Sequence, residues 1–502
     1  MRNKNPTIER LYKYLSEKAR EAYQDPLLIA NIVLSKQLTS GRVLENYIEN
    51  KTPPRITSIF VLKMIFLYTV KNLTKFILCL IASFMHKLSG QKFHAKEEGE
   101  LIILDTFFLV EEILKNRKFE DSFFPGLSRH LKKIEKKHTY TPRLFGTNNP
   151  FKLFRVFRIL KKNNIPVLTH FQVLGFLDYF EAARFLFLYP FSFFRFMKSL
   201  GNSYEDKVLR YGLWKDFGSL ELEVEIRFLL GRRLSSMNFN KIKCIGWYEN
   251  QASDKNFYRG LRHVLGKVEI IGTQFFWRPA TYLFINPDEQ EIPFHVIPDR
   301  VLVDGSAKYF DSNKIRVDVG PTLRNNGLFD NVGEEPSKGE FILVLMSYYD
   351  NVNDFMIRII CEGDWGVPIK IKLHPTTDQK KYQERLSKNF LITNEPLSKL
   401  LKSTRIVVGG SSGAQVQIAA KGIPVIDVKN PSEFSHDQMP EIGKGTMWDS
   451  ATSADEMTKH VRHFQDLLKS DPMQLREEGL RLKSLYFSEP TEELINRAFG
   501  FN

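Results

Sequence analysis

The feature that most constrains this chain is a series of short apolar runs between residues 340 and 428, separated by stretches of helical length. Phe341–Leu345, Val367–Leu373, Phe390–Ile392, Arg405–Val408 and Ile423–Ile426 are rich in Ile, Val and Leu and bounded by glycine, proline or polar turns. Strands buried on both faces of a parallel sheet read as continuous apolar runs of this kind. Between them, Asn353–Cys361, Asp378–Ser387, Pro396–Ser403 and Ala414–Lys421 have the composition of helices. The third carries proline in its first turn and the fourth stops at Gly422. Strands alternating with helices predict a parallel βαβαβ array of Rossmann type.

In such sheets ligands sit beyond the carboxyl ends of the strands. Two strand ends carry suitable chemistry. The first is Lys372-Leu-His374-Pro375, where proline ends the pairing and fixes where His374 points. An imidazole there can donate a hydrogen bond to a phosphate oxygen or a proton to a leaving group. The second is Gly409-Gly-Ser411-Ser412-Gly413. Its glycines permit a tight strand-to-helix turn, and its hydroxyls and helix-start amides suit an anion. Ordinary helix capping uses the same residue types, and a strand-end histidine is often only structural. Together the two motifs predict a phosphate crevice.

The order of these motifs, followed by a helix and Gly-Ile-Pro-Val-Ile426, resembles the donor domain of bacterial GT-B glycosyltransferases of surface-polysaccharide (capsule and lipopolysaccharide) biosynthesis. It is most similar to polysialyltransferases and capsule Kdo transferases, which use CMP-activated acid sugars. The resemblance covers residues 340–428 well and the rest in outline. It implies that Lys372, His374, Pro375, Ser411, Ser412 and Gly413 hold the donor nucleotide, with Asn394 and Glu395 near its base or ribose. Retaining members often carry two glutamates eight positions apart in the helix after the turn. Gln415 and Gln417 stand there instead, which implies an inverting enzyme. The His-Pro motif also occurs in polymerases that move polyol phosphates from CDP donors, so the transferred group stays open.

A length of 502 residues predicts two domains with additions. The expected organisation is a helical, membrane-interacting extension over 1–95, an acceptor domain over 96–325, a donor domain over 326–480 and a helical tail over 481–502. This is an α/β, GT-B-like arrangement of two Rossmann-type domains facing a cleft. In the acceptor domain, Leu101–Leu104, Ile242–Trp247, Val268–Ile271 and Val296–Val303 read as strands, the last broken by Pro298, and Asp254–Leu265 as a helix. Asn325–Lys338, rich in Asn, Gly, Glu and Pro, reads as a linker.

Inversion needs one general base at a strand end across the cleft. Glu249 and Asp105 meet that test, although strand-end carboxylates also cap helices. Asn250, Gln251, Lys255, Arg262 and Gln274, with Arg259, are the expected acceptor contacts, the cations suiting an acidic sugar. No DxD stands in a metal-binding context, and Asp318-Val-Gly and Asp350–Asp354 are poor ligand sets, so neither metal nor cofactor is expected beyond the nucleotide-sugar co-substrate.

The formal charge of +14 favours anionic partners. Ile56–Phe84 is dominated by Ile, Leu, Phe and Val, with Lys63, Lys71 and Lys75 on one flank. A helix in a bilayer interface has that pattern, although a buried hairpin or a span would share it. Arg129–Lys137, the basic face of Lys152, Arg155 and Arg158, and the aromatic run Phe176–Met197 extend the same character. The expected place is the inner face of the cytoplasmic membrane, with a glycan or lipid-linked glycan as acceptor and no nucleic acid bound. Three scattered cysteines suggest neither zinc nor disulfides, and the charged start does not read as a signal peptide. The alternative is a nucleic-acid-binding or scaffold protein with a degenerate Rossmann domain. No RNP, helix-turn-helix, zinc or P-loop pattern supports it.

Overall fold

A computed structural model of the chain describes residues 6–37, 41–90, 99–279, 281–307, 312–330, 339–347, 349–363, 365–374, 379–383, 385–386, 390–432 and 438–501. Pro375 and most of the expected linker lie outside them. Eight strands precede residue 330: β1 (Glu100–Asp105), β2 (Phe107–Leu109), β3 (His138–Tyr140), β4 (Arg143–Phe145), β5 (Lys241–Trp247), β6 (Val268–Gln274), β7 (Arg300–Asp304) and β8 (Arg316–Gly320). Six follow: β9 (Phe341–Leu345), β10 (Ile369–Lys372), β11 (Phe390–Ile392), β12 (Thr404–Gly409), β13 (Val425–Val428) and β14 (Trp448–Ala451).

They form two six-stranded parallel sheets and one small pair, β2 with β4. The second sheet runs β11-β10-β9-β12-β13-β14, the doubly wound order of a dinucleotide-binding domain. Its order reverses between β9 and β12. The first runs β3-β1-β5-β6-β7-β8 and reverses between β1 and β5. The chain is therefore α/β with two Rossmann-type domains. Expected strand positions in the second domain hold to within two residues, because Ile, Val and Leu fill both faces of β9, β12 and β13.

The first domain recruits more of the chain than expected. Residues 6–37 include the expected helical region, with the helix Pro6–Ala22, and pack into this domain. Ile8, Leu11 and Leu15 join Phe257 and Tyr258 in its core. Residues 481–502 are not a separate tail. The helix Pro472–Tyr486 packs on the second domain, where Gly479 lies against the Gly422 backbone. The chain then crosses back, with the Ala307 amide donating to the Leu485 carbonyl (3.0 Å) and the Thr322 amide to that of Ser488 (2.9 Å). The helix Glu492–Phe499 ends in the first core, burying Phe499 and Phe501 beside Phe275.

Residues 58–89 form one helix of 32 residues, not a hairpin. Thr57 caps its start and Gly90, in the left-handed region, its end. It lies flat along the first domain. Tyr68 donates to the Leu186 carbonyl (2.8 Å), and His86 meets Phe157 near the other end. Its amphipathicity is inverted. The inward face includes Asn72, Ser83 and His86, whereas Ile59, Leu62, Phe66, Leu73, Ile77 and Phe84 point to solvent, Ile59 at 80% exposure. Lys63 and Lys71 are also exposed. Lys75 instead turns inward to the Ser219 carbonyl (2.6 Å) and Glu223 (2.8 Å), a correction to its expected place among headgroups.

Candidate active site

The carboxyl ends of the second sheet line up across strands. Lys372 pairs with Leu345, Leu345 with Gly409, and Gly409 with Asp427. His374 and Ser411 each lie two residues beyond that row. They do not stand on neighbouring strands, since β9 runs between β10 and β12. Two strand spacings set them about 10 Å apart, a separation a pyrophosphate or nucleoside monophosphate can bridge.

The loop after β12 is built by close approach. A Cβ on Gly410 would come within 2.8 Å of Val352 Cγ1 and 2.9 Å of Met356 Sδ, so a side chain there would displace one of them. Ser411 adopts φ 51°, a left-handed backbone that costs a non-glycine residue roughly 1–2 kcal/mol. Strain of this sort concentrates at functional sites. The Ser412 amide donates to Gln415 Oε1 (3.2 Å), and Gln415 Nε2 donates to Asp427 Oδ1 (3.0 Å). Gln415 thus braces the turn from a buried position. The helix that follows, Ala414–Ala419, has only six residues. Its dipole is small, and anion affinity here rests on local amides and the two hydroxyls.

Lys372 donates to the Glu395 carbonyl (2.7 Å), which ties the end of β10 to the turn after β11. The Glu395 carboxylate is turned away to Lys399 (2.7 Å), while Asn394 is exposed. Burial lowers the pKa of His374 below the ordinary imidazole value. The ring is therefore neutral at pH 7 and presents one N–H.

The first sheet's order also reverses at a chemically rich point. Asp105 pairs with Gly246 across β1 and β5, and Glu249 follows β5 by two residues. Glu249 is half-buried. Trp247 Nε1 donates to its Oε1 (2.8 Å) and Gln251 Nε2 to its Oε2 (2.6 Å). These bonds orient a carboxylate that solvent still reaches. Gln251, expected to touch an acceptor, is first a support for Glu249.

Several expected site residues are instead internal. Asp105 has no exposed surface and lies between Arg227 (2.7 Å) and Arg143 (3.2 Å), so it is a neutralised structural anion and not a base. Asn250, at φ 57°, donates to the Phe284 and Asn286 carbonyls. Gln274 is buried and donates to the Ile285 carbonyl (2.7 Å). Lys255 is buried against Glu291 (2.8 Å) and the Ser35 carbonyl (3.0 Å), and burial pushes it down to about 8. Arg262 caps the far end of its helix beside Asp299, which precedes β7, and so sits at the amino ends of the strands. Arg259 donates to the Pro26 carbonyl (2.8 Å). None of these six can meet a ligand at the strand ends without breaking these contacts.

Two residues with no local signal in the sequence stand nearby. Arg324, four residues beyond β8, is exposed, with its guanidinium carbon 5.1 Å from the Phe123 ring centre and 5.2 Å from that of Trp247. Asp304 ends β7, fully buried, and burial pushes its carboxyl up to about 8 against the opposing charges of Arg278 and Arg324.

The two sets of strand ends face each other. A Cβ on Gly413 would lie 3.6 Å from Trp277 Cβ, joining the turn after β12 to the loop after β6. Tyr282, further along that loop, is influenced by Tyr349 and Gln438 of the second domain, and burial raises its pKa to about 12. Among the described residues no group of three His, Cys, Asp or Glu is placed to hold a metal ion.

No family model matches the chain, and no curated protein does. Solved structures with a similar course include Acinetobacter baumannii MurG, 10% identical, covering 80% of this chain and 100% of its own, with a TM-score of 0.39. Methanocaldococcus jannaschii UDP-GlcNAc 2-epimerase in complex with UDP-GlcNAc and UDP gives 13% identity, 80% and 100% coverage and 0.43. The glycosyltransferase SnogD of Streptomyces nogalater gives 13%, 81% and 100%, and 0.40. Such scores decide neither fold nor chemistry. Both rest on the strand order and side chains above.

Proposed function

We propose that the chain is a glycosyltransferase that binds a nucleotide sugar at the second domain's switch point and an acceptor at the first domain's. The observation that carries this reading is the approach of Gly413 to Trp277, which sets a Gly-Ser turn at one sheet's carboxyl edge against the other sheet's carboxyl edge. Two doubly wound domains joined in this way hold a co-substrate each.

The reaction is inverting and metal-independent in this reading. Glu249 takes the proton of the acceptor hydroxyl. The acceptor oxygen bonds to the anomeric carbon as the bond to the nucleotide phosphate breaks, and the departing electron pair stays on the phosphate oxygen. His374 and the Ser411–Gly413 turn stabilise that charge through N–H and O–H donors. The sequence resemblance favours a CMP-activated acid sugar as donor and a surface glycan or lipid-linked glycan as acceptor. The inverted helix Ser58–Ser89, with Phe176 (85% exposed) and Phe180 on the helix Phe176–Ser199, favours attachment to an anionic bilayer. Helices that expose apolar side chains beside their lysines and arginines suit a lipid surface better than nucleic acid.

A thermal-shift screen against CMP, UDP, GDP and dTDP tests the donor site, with stabilisation by one of them expected. No stabilisation by any would refute it. With the donor identified, Glu249→Gln is expected to keep nucleotide binding and lose about 100-fold or more in turnover. Leu62→Glu with Phe66→Glu is expected to release the protein from phosphatidylglycerol vesicles, and retention would refute the membrane face.

A further inference from the structure

We propose that Arg324 anchors a subsite for an anionic group, carboxylate or phosphate, on the acceptor sugar, one indole ring away from the general base. This rests on the transferase reading above and specifies the acceptor that the reading leaves open. Arg143 and Arg227 hold Asp105, and Arg262 holds Asp299. Arg324 has no such carboxylate. It is exposed, and no carboxylate lies within ion-pairing distance of it among the described residues.

It is nevertheless held in place. Phe123 and Trp247 offer ring faces at 5.1 and 5.2 Å, and contact with two rings restrains the plane of the guanidinium. A rigid guanidinium without a counter-ion, open to solvent, matches the two oxygens of a carboxylate or phosphate. Glu249 and Asp304 are the acidic groups whose charge reaches it. Asp304 is protonated at neutral pH and does not compete with a ligand.

Trp247 links the two functions. Its Nε1 holds Glu249 while its ring lies beneath Arg324. Base and anion fork are therefore referenced to one buried ring. A neutral sugar would gain no ion pair there, so a preference for anionic acceptors follows from the same geometry.

Calorimetric titration of the full chain with glucuronate, glucose 1-phosphate and glucose tests this. At least one of the two anions is expected to bind ten times or more tighter than glucose, and the two arms separate carboxylate from phosphate. Arg324→Gln is expected to erase the preference and Arg324→Lys to recover part of it. Equal binding of all three sugars by the wild-type chain, or a preference that survives Arg324→Gln, would overturn the subsite. The wild-type comparison stands even if a variant fails to fold. Nucleotide binding measured alongside separates the two readings. Nucleotide affinity without an anion preference overturns the subsite alone. An anion preference without nucleotide affinity supports the anion site and overturns the transferase.

Discussion

The two sheets present the same kind of edge and treat it in opposite ways. At the carboxyl ends of the first, Asp105 and Asp254 are locked to Arg143 and Arg227 inside the protein. Nearby Lys36 and Lys255 share the buried carboxylates of Asp288 and Glu291. At the carboxyl ends of the second stand glycine, serine and a neutral imidazole, partly open to solvent. Full charges at a strand end recruit counter-charges and close over. Small dipoles need no counter-ion, so the edge stays open to a ligand that brings its own charge. A charge at a strand end thus marks a site only where it stays accessible, as at Glu249 and Arg324, and not where a buried counter-charge closes over it.

Four substitutions probe that contrast. The largest effect is expected from Asp105→Ala, which leaves two buried guanidiniums without their shared anion. A loss of about 3–5 kcal/mol in denaturant unfolding is expected, and a loss below 1 kcal/mol would mean that the edge is not closed by charge. His374→Ala should cost little stability but weaken nucleotide binding about 10- to 100-fold, the worth of a hydrogen bond to a charged group. Calorimetry with the preferred nucleotide measures it, and unchanged affinity would move the phosphate elsewhere. Asp304→Asn should act through pH. The folded carboxyl titrates near 8, above the 3.8 of an unfolded aspartate. Its contribution is therefore fully present below about pH 4 and is lost as pH rises toward 8. The variant's Tm should match wild type near pH 4 and exceed it increasingly up to pH 8, whereas a constant offset would contradict burial as the cause. The smallest effect is expected from Ser411→Gly, which relieves the left-handed backbone and should stabilise by up to about 1 kcal/mol while weakening the nucleotide. A destabilised variant would show that the serine hydroxyl supports the fold.

The second domain was readable because its information is local. Each strand is an apolar run, and each turn carries its own glycine or proline. What local pattern leaves out there is strand order. The strand order that puts β9 between His374 and Ser411 depends on crossovers, which periodicity does not encode. In the first domain β1 and β5 are neighbours in space, yet 135 residues separate Asp105 from Lys241, so their pairing left no local trace. β3 and β8 are short or charged and resemble loops. The same distance explains the misplaced site residues. Asp105 and Lys255 read as solvent-facing because their partners lie 36 to 220 residues away, at Arg143 and Arg227 for the first and at Glu291 and Ser35 for the second. Arg324 was missed for the converse reason, since its aromatic supports come from Phe123 and Trp247, far back in the chain. The setting of Glu249 is local instead, since its two supports, Trp247 and Gln251, stand two residues to either side.

The returning segment 492–501 has a consequence for synthesis. Lys243 on β5 donates to the carbonyls of Phe499 (2.9 Å) and Gly500 (2.7 Å), and Phe499 fills the core beside Phe275. The ribosome delivers the first domain's strands before the second domain and this plug after it. Until residue 501 has emerged, the first domain waits with an uncovered apolar patch, while the second can already close around its own sheet. The domain begun earlier is the one completed later, and a chain cut short before residue 492 should fail in that earlier domain.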